Sequence, residues 1–329
     1  MAIRVGFLGT GAWSRVHLYW VQQHPETVVT ACYGSNPEKT ASFAREAGED
    51  CAIYPTYQEM FPHVDAVYLA IPPFAHTTQI REALDAGLHV FTEKPLARTL
   101  ENARATVAVA EAHPELRTQI GYMLRFSQPV EVLGDFVFRR GKPILFVGRY
   151  FCNDLHAHWW RDHAKSGGQL LEQVIHLIDL ACFLFGEPKE VVYMAENLAH
   201  RDVEGYTTND VSVLTVRFDS GALATFAATN QAVPGRWEMA YRVVFEHLTA
   251  ASASLDAGEF WVTEPGAEET FTVAEGPDPY RAETEDFIGA ILEGRPTRCP
   301  FSEGLVALRV IDAAERSAVS GEIVPVPTT

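Results

Sequence analysis

Along the first third of the chain, short apolar and β-branched runs alternate with longer segments whose apolar positions recur at helical spacing. Residues 4–8, 28–33, 66–71 and 89–92 read as strands, and residues 14–23, 37–47, 77–86 and 100–112 as helices. Strands alternating with helices predict a parallel sheet with crossover helices. Gly48 and Gly87 fall where helix C-caps belong, and one more short strand is expected over 118–122. From residue 144 onward the period becomes two. Segments 211–218 and 222–229, joined by Asp219-Ser220-Gly221, predict an antiparallel hairpin, with further strands at 190–196, 239–246 and 250–255. A long helix at 168–185 interrupts these strands, and two more follow at 280–293 and 302–320. The acidic, Pro/Gly-rich stretch 258–279 reads as a hairpin with a surface loop. The pattern predicts a doubly wound α/β domain over 1–120, then an α+β domain over 121–329 built on an open, mostly antiparallel sheet.

Length and charge narrow the function. At 329 residues, two domains are the expectation. With 43 acidic against 26 basic residues the formal charge is −17, a surface that repels a nucleic-acid backbone or an anionic membrane. Neither is expected as a partner. Cys32, Cys51, Cys152, Cys182 and Cys299 form no Cys-x-x-Cys pair, which suits buried thiols in a reducing compartment. The N-terminus lacks the basic-then-apolar layout of a signal peptide. No uninterrupted apolar stretch approaches the roughly 20 residues of a bilayer span, the best being 64–75 with Asp65, Pro72 and Pro73 inside it. A cytoplasmic location is the resulting expectation.

Four local patterns carry candidate chemistry. Gly9-Thr10-Gly11-Ala12-Trp13-Ser14 follows the first strand and opens a helix. Glycines there permit a tight turn and close approach of a pyrophosphate to unpaired N–H donors, although Ser14 stands where a third glycine is usual and a plain strand-to-helix turn is the alternative. After the second strand, Cys32-Tyr33-Gly34-Ser35-Asn36-Pro37-Glu38-Lys39 offers neither a ribose-binding carboxylate nor an arginine. NAD and NADP both stay open, with a lean to NADP through Ser35 and Lys39. Glu93-Lys94-Pro95 ends a strand at the edge where open parallel sheets bind ligands, so Lys94 can donate to a substrate oxygen; a surface lysine paired with Glu93 is the alternative. In the helix from Gly168, Glu172, His176 and Asp179 stand at i, i+4 and i+7, on one side of an otherwise apolar helix. They read as a substrate-facing acid/base set or as a His-Asp pair satisfied in the core.

Further histidines offer a metal reading. His156-x-His158 on a strand, with His163 nearby, would suit zinc, but no cysteine or carboxylate completes the set and no metal is expected. Asn153, His156, His158, Trp159, Trp160 and Arg161 also suit the lining of a carbohydrate-like pocket. Tyr122 and Arg125, just after the domain crossover, are substrate-site candidates, with a structural arginine as the alternative.

Taken together, Gly9-x-Gly11, Ile71-Pro72-Pro73-Phe74-Ala75-His76, Ala86-Gly87-Leu88-His89-Val90 leading to Glu93-Lys94-Pro95-Leu96, and Gly167-Gly168 with His176-x-x-Asp179 resemble the glucose-fructose oxidoreductase and inositol dehydrogenase (Gfo/Idh/MocA) family. The resemblance covers nearly the whole chain, including Gly289-Ala290-Ile291 and the final helix. It implies a Rossmann domain that binds NAD or NADP, and an oxidoreductase acting on a secondary alcohol or ketone of a sugar, cyclitol or related polyol. By the same similarity Lys94 is the catalytic lysine, His176 the general acid/base and Glu172 the carboxylate that holds substrate. The implied cofactor contacts are Gly9, Gly11, Ala12, Trp13, Ser35, Pro72, His76, Glu93 and Lys94, and the implied substrate contacts are Tyr122, Arg125, Trp159 and Asp179. Assembly as a homodimer or homotetramer through the exposed face of the second sheet is also implied.

Three positions depart from the family pattern. Glu172 replaces a commoner Asp, Gln169 a third glycine, and Val174 a small residue. The longer carboxylate leaves the substrate of better-known members in doubt. An NAD-dependent glycoside hydrolase and a non-catalytic nucleotide-binding sensor remain as alternatives.

Overall fold

The computed structural model describes residues 2–274 and 276–328. The chain divides into two compact units: residues up to Tyr122 together with Tyr280–Leu305, and Met123–Pro279 together with the segment from Val306.

The first unit holds a six-stranded parallel sheet. Its strands are β1 (Ile3–Leu8), β2 (Thr27–Tyr33), β3 (Ala52–Ile53), β4 (Ala66–Leu69), β5 (His89–Glu93) and β6 (Thr118–Gly121), in the order β3-β2-β1-β4-β5-β6. That order reverses direction at β1, which places a ligand crevice beyond the carboxyl ends of the strands. Phe7, Tyr68 and Phe91 stack across neighbouring strands at 5.4 and 4.6 Å, and Phe287 meets Tyr68 edge-on at 5.5 Å. Helix Pro37–Ala47 matches its expected bounds because each end is signalled locally: Asn36 caps Lys39 N, Pro37 opens the first turn, and Gly48 takes φ +114° at the end. β4 stops at Leu69, short of the expected 71, and a 3₁₀ turn at Pro73–Ala75 delays the next helix to Gln79–Asp85. Pro72 and Pro73 have no N–H to continue the ladder.

The second half of the domain expectation needs correction. Residues 280–305, expected in the second domain, pack into the first. Gln119 Nε2 donates to Glu283 O at 2.7 Å, Ile120 N to Cys299 O at 2.9 Å and Thr297 Oγ1 to Thr118 O at 2.6 Å. The returning segment thereby covers β6, the last strand of the sheet, whose edge would otherwise be open.

The second unit holds nine strands, β7 (Pro143–Phe151), β8 (Pro188–Glu196), β9 (Val211–Phe218), β10 (Leu223–Thr229), β11 (Glu238–Phe245), β12 (Leu248–Ser252), β13 (Gly258–Val262), β14 (Glu269–Val273) and β15 (Val324–Pro325). They lie in the order β14-β13-β12-β11-β7-β10-β9-β8-β15. The β9–β10 hairpin pairs Val211 with Thr229 and Arg217 with Leu223, as its period predicts. β7 and β10 run parallel, so the sheet is mixed. One face carries Phe146, Leu214, Phe226 and Val243, all buried, and helix Ile175–Phe185 lies against it, with Phe185 edge-on to Phe146, Phe218 and Phe245. Gly148 lets the helix approach, since a Cβ there would stand 3.3 Å from Leu177. The stretch His163–Phe185 is long and apolar enough to cross a membrane by length and composition, but it is mostly buried inside the protein. All five cysteines are buried and unbridged.

Candidate active site

The turn after β1 is open and leaves a helix start uncapped. Gly9 has φ +106°, and a Cβ there would lie 2.3 Å from the carbonyl oxygen of Ala70. Gly11 is exposed, and a Cβ would meet nothing within 4 Å. Gly11 also sits at the N-cap of helix Ala12–Gln23 without a side-chain cap, so the first N–H groups of the helix have no intrahelical acceptor. Arg15 ties down the other side of the turn, donating to Thr10 O at 2.7 Å while its guanidinium pairs with Glu46 at 2.7 Å. Gly34 is packed between Thr10 Oγ1 and Thr40 Oγ1, each 2.5 Å from an added Cβ. Space at Gly11, an uncapped helix start and a strand edge together fit the pyrophosphate of a dinucleotide. Ala12, Trp13 and Ser35 are exposed around this turn, and Pro72 is half-buried. His76 is buried, its Nε2 2.8 Å from Ile71 O, and burial pushes its pKa down, so the ring is neutral.

At the end of β5, Glu93 is buried and Lys94 half-buried. Glu93 Oε2 accepts the backbone N–H of Lys94 at 3.1 Å, and Glu93 Oε1 lies 2.8 Å from His17 Nε2. Glu93 thus faces inward, toward the helix that follows the glycine turn. Tyr122, the residue after the end of β6, is fully buried.

In the second unit the expected helix is not uniform. Leu170–Val174 forms a π-turn before helix Ile175–Phe185, which widens the backbone between Glu172 and His176. The three polar groups differ in burial and in partners. Glu172 is half-buried, His176 is 7% exposed, and Asp179 is 1% exposed, paired with Arg125. Nε of Arg125 donates to Asp179 Oδ2 at 2.8 Å and NH2 to Oδ1 at 2.7 Å. Arg125 and Asp179, two of the substrate candidates, are thus engaged with each other.

Gln169, the departure from glycine, has a structural cause. Its amide accepts from Ser212 Oγ at 2.6 Å and donates to Asn230 Oδ1 at 3.2 Å, locking the start of the π-turn to β9 and the end of β10. Gln173 reaches the other way and donates to His156 Nε2 at 3.0 Å. Burial depresses the His156 pKa, consistent with a neutral ring that accepts this bond. His156 has φ +56°, lies in a loop and is tilted against Trp160 with ring centres 4.2 Å apart; His158 is exposed at a helix start. The expected strand carrying both histidines is therefore absent: the positive φ breaks it. Trp159 is half-buried beside them.

Sequence reasoning missed Tyr150. It continues the inward face of β7 set by Phe146 and Gly148, and burial, reinforced by the charge of Glu172, pushes its hydroxyl pKa up. It is a proton-bearing donor near Glu172, and only its place in the strand alternation could have pointed to it.

Two family models match this sequence. An oxidoreductase family with an NAD-binding Rossmann fold covers residues 3–122, and a GFO/IDH/MocA C-terminal domain covers residues 139–251. The chain belongs to the GFO/IDH/MocA oxidoreductase family. Among the curated relatives, inositol 2-dehydrogenase of Rhizobium meliloti (strain 1021) is 26% identical over 332 residues, covering 96% of this chain and 97% of the relative. D-xylose 1-dehydrogenase (NADP(+)) 2 of Haloferax volcanii is 25% identical over 338 residues, covering 97% and 98%. The solved structure of a levoglucosan dehydrogenase in complex with NADH and levoglucosan superposes with a TM-score of 0.91 at 22% identity, covering 100% of each chain. This GFO/IDH/MocA chain is accordingly an NAD(P)-dependent oxidoreductase, with the Rossmann-like parallel sheet and mixed second sheet of that fold.

Proposed function

We propose that the protein oxidises a secondary alcohol, or reduces the matching ketone, on a sugar, cyclitol or related polyol. The observation that carries this is Lys94 at the carboxyl end of β5, in the same sheet whose β1 runs into the open glycine turn. Relatives named for inositol and xylose supply the substrate class. When bound at that turn, the nicotinamide cofactor supplies the chemistry of accepting or giving a hydride at the alcohol carbon. Gly9, Gly11, Ala12 and Trp13 hold its phosphates and adjoining ribose, Ser35 its adenosine end, and Pro72, His76 and Glu93 shape the turn near Lys94. In oxidation His176 takes the proton of the substrate hydroxyl, and Lys94 donates to the oxygen and stabilises the developing alkoxide. In reduction the two roles reverse. Glu172 orients a neighbouring hydroxyl, with Trp159 as a further substrate contact; Tyr122, being fully buried, supports the site from within the core rather than touching substrate. Arg125 and Asp179 serve substrate binding indirectly, by fixing the helix that carries His176.

For the cofactor, the reading leans to NADP. β2 ends without an acidic residue to accept the ribose hydroxyls; Asn36 spends its side chain on Lys39 N, and Ser35 and Lys39 are exposed. The outer face of the second sheet exposes Leu145, Val147, Val213 and Leu223, which supports a homodimer or homotetramer through that face.

The test is absorbance at the reduced-nicotinamide band with NAD and NADP against a panel of sugars and cyclitols. Stoichiometric cofactor turnover is expected. Glycoside cleavage without net turnover would make the protein a hydrolase, and binding without either reaction a sensor.

A further inference from the structure

We propose that His17 is a positioning residue for Lys94, acting through Glu93; the inference rests on the reading of Lys94 given above. His17 is fully buried on helix Ala12–Gln23, six residues after the N-cap Gly11, or about 9 Å along the axis. Its Nε2 lies 2.8 Å from Glu93 Oε1, and because a carboxylate only accepts, the ring proton is on Nε2. The other carboxylate oxygen, Oε2, accepts the backbone N–H of Lys94 at 3.1 Å. One carboxylate therefore joins a ring on the dinucleotide helix to the peptide unit that bears the lysine.

The surroundings fix both partners. The imidazole is wedged 4.7 Å from Phe91 and 5.7 Å from Tyr68, with Tyr280 edge-on at 6.0 Å, so the ring cannot rotate without displacing core aromatics. Its Nδ1 makes no hydrogen bond and faces Glu283 Oε1 at 3.8 Å. On the other side, the glycine at position 121 packs against Glu93: an added Cβ would stand 3.4 Å from the carboxylate atoms. A glutamate held at both oxygens has one rotamer, and that rotamer aims the turn that presents Lys94. His17 thus links the helix that receives the phosphates to the turn that meets the substrate. A one-ångström misplacement of a reacting group can cost up to about a hundredfold in rate, which makes such a brace worth keeping in a core.

The experiment compares His17→Leu, which removes the donor, with His17→Gln, whose amide can replace Nε2. The readouts are hydrogen exchange at the Lys94 amide, reduced-cofactor affinity by fluorescence, and kcat and KM. His17→Leu is expected to speed Lys94 exchange roughly tenfold or more. It should lower kcat by about ten- to a hundredfold, with KM and cofactor affinity changed less than about threefold. His17→Gln should restore exchange and kcat to within about threefold of wild type. If His17→Leu does not fold, Glu93→Gln, which keeps the shape and loses one acceptor, should show the same faster exchange. Unchanged Lys94 exchange in these variants, or equal losses in His17→Leu and His17→Gln, overturns the brace. Full turnover in Lys94→Met would instead overturn the catalytic reading of Lys94.

Discussion

Arg125 and Asp179 face each other through two parallel hydrogen bonds of 2.8 and 2.7 Å, with side chains 4% and 1% exposed. They lie 54 residues apart, and Phe183, one turn on, covers the guanidinium at 4.6 Å from its ring centre. A forked guanidinium–carboxylate pair of this kind is strong while complete and costly when halved, because the survivor is a buried charge without its counter-ion.

Asp179→Asn and Arg125→Met should therefore each lower stability by about 3–5 kcal/mol, read by chemical denaturation. The double change to apolar residues of similar volume should recover most of that loss. A KM effect with unchanged stability would instead return both residues to direct substrate contact.

Lys94→Ala and His176→Ala should each reduce kcat by about 10²- to 10⁴-fold, the usual worth of a positioned proton donor or acceptor. Lys94→Ala should affect folding little, since Lys94 is half-buried, whereas His176 is buried, so its variant is checked for stability by denaturation before kcat is compared. Glu172→Asp shortens the carboxylate by one methylene and should shift preference among polyols more than it lowers the best kcat. Steady-state kinetics over the substrate panel check all three.

What could be foreseen in the chain was whatever its neighbours in sequence encode. The β9–β10 hairpin follows from period-two alternation around Asp219-Ser220-Gly221, and helix Pro37–Ala47 from its cap, proline and glycine. The glycine turn and Lys94 were legible for the same reason, each being a short motif at a strand end. Other features depend on distant partners. Nothing near Tyr280–Leu305 says that it packs beside β6, because an amphipathic helix does not name the surface it covers. The π-turn at Leu170–Val174 is held by Ser212, Asn230 and His156 from other elements, so a regular helical count through this stretch had no local signal for it. His17 had no local signal either: its meaning lies in Glu93, 76 residues away.

The pH dependence of stability should carry a mark from Asp210. Burial works against its charge, but the backbone N–H groups of Leu198 and Ala199 and the ring of His200 outweigh this and hold its pKa below the usual carboxylate value. A carboxyl depressed in the folded state binds fewer protons there than when unfolded. Its contribution is complete above the unfolded-state value of about 3.9 and is lost as pH falls through the lower folded value. Asp210→Asn should lose stability at neutral pH, by about 1–3 kcal/mol, and flatten the acid limb. Urea unfolding from neutral to acid pH tests this, and parallel acid limbs for wild type and variant would refute it.

Gly9 and Gly11 should separate folding from cofactor binding. Gly9→Ala puts a methyl 2.3 Å from a backbone carbonyl at a positive φ, so the turn itself must distort and the thermal midpoint should fall. Gly11 has φ −81° and open space around it, and an aspartate there would be a good N-cap at the positive end of the helix. Gly11→Asp should leave the midpoint unchanged or raise it, by about 1 kcal/mol of cap energy at most. The same carboxylate would occupy the approach of the pyrophosphate and repel it, weakening NADH and NADPH binding by roughly tenfold or more. Calorimetry for the midpoint and fluorescence titration for the affinity measure the two effects independently. If Gly11→Asp bound either reduced cofactor as tightly as wild type, the dinucleotide would have to enter somewhere other than this turn.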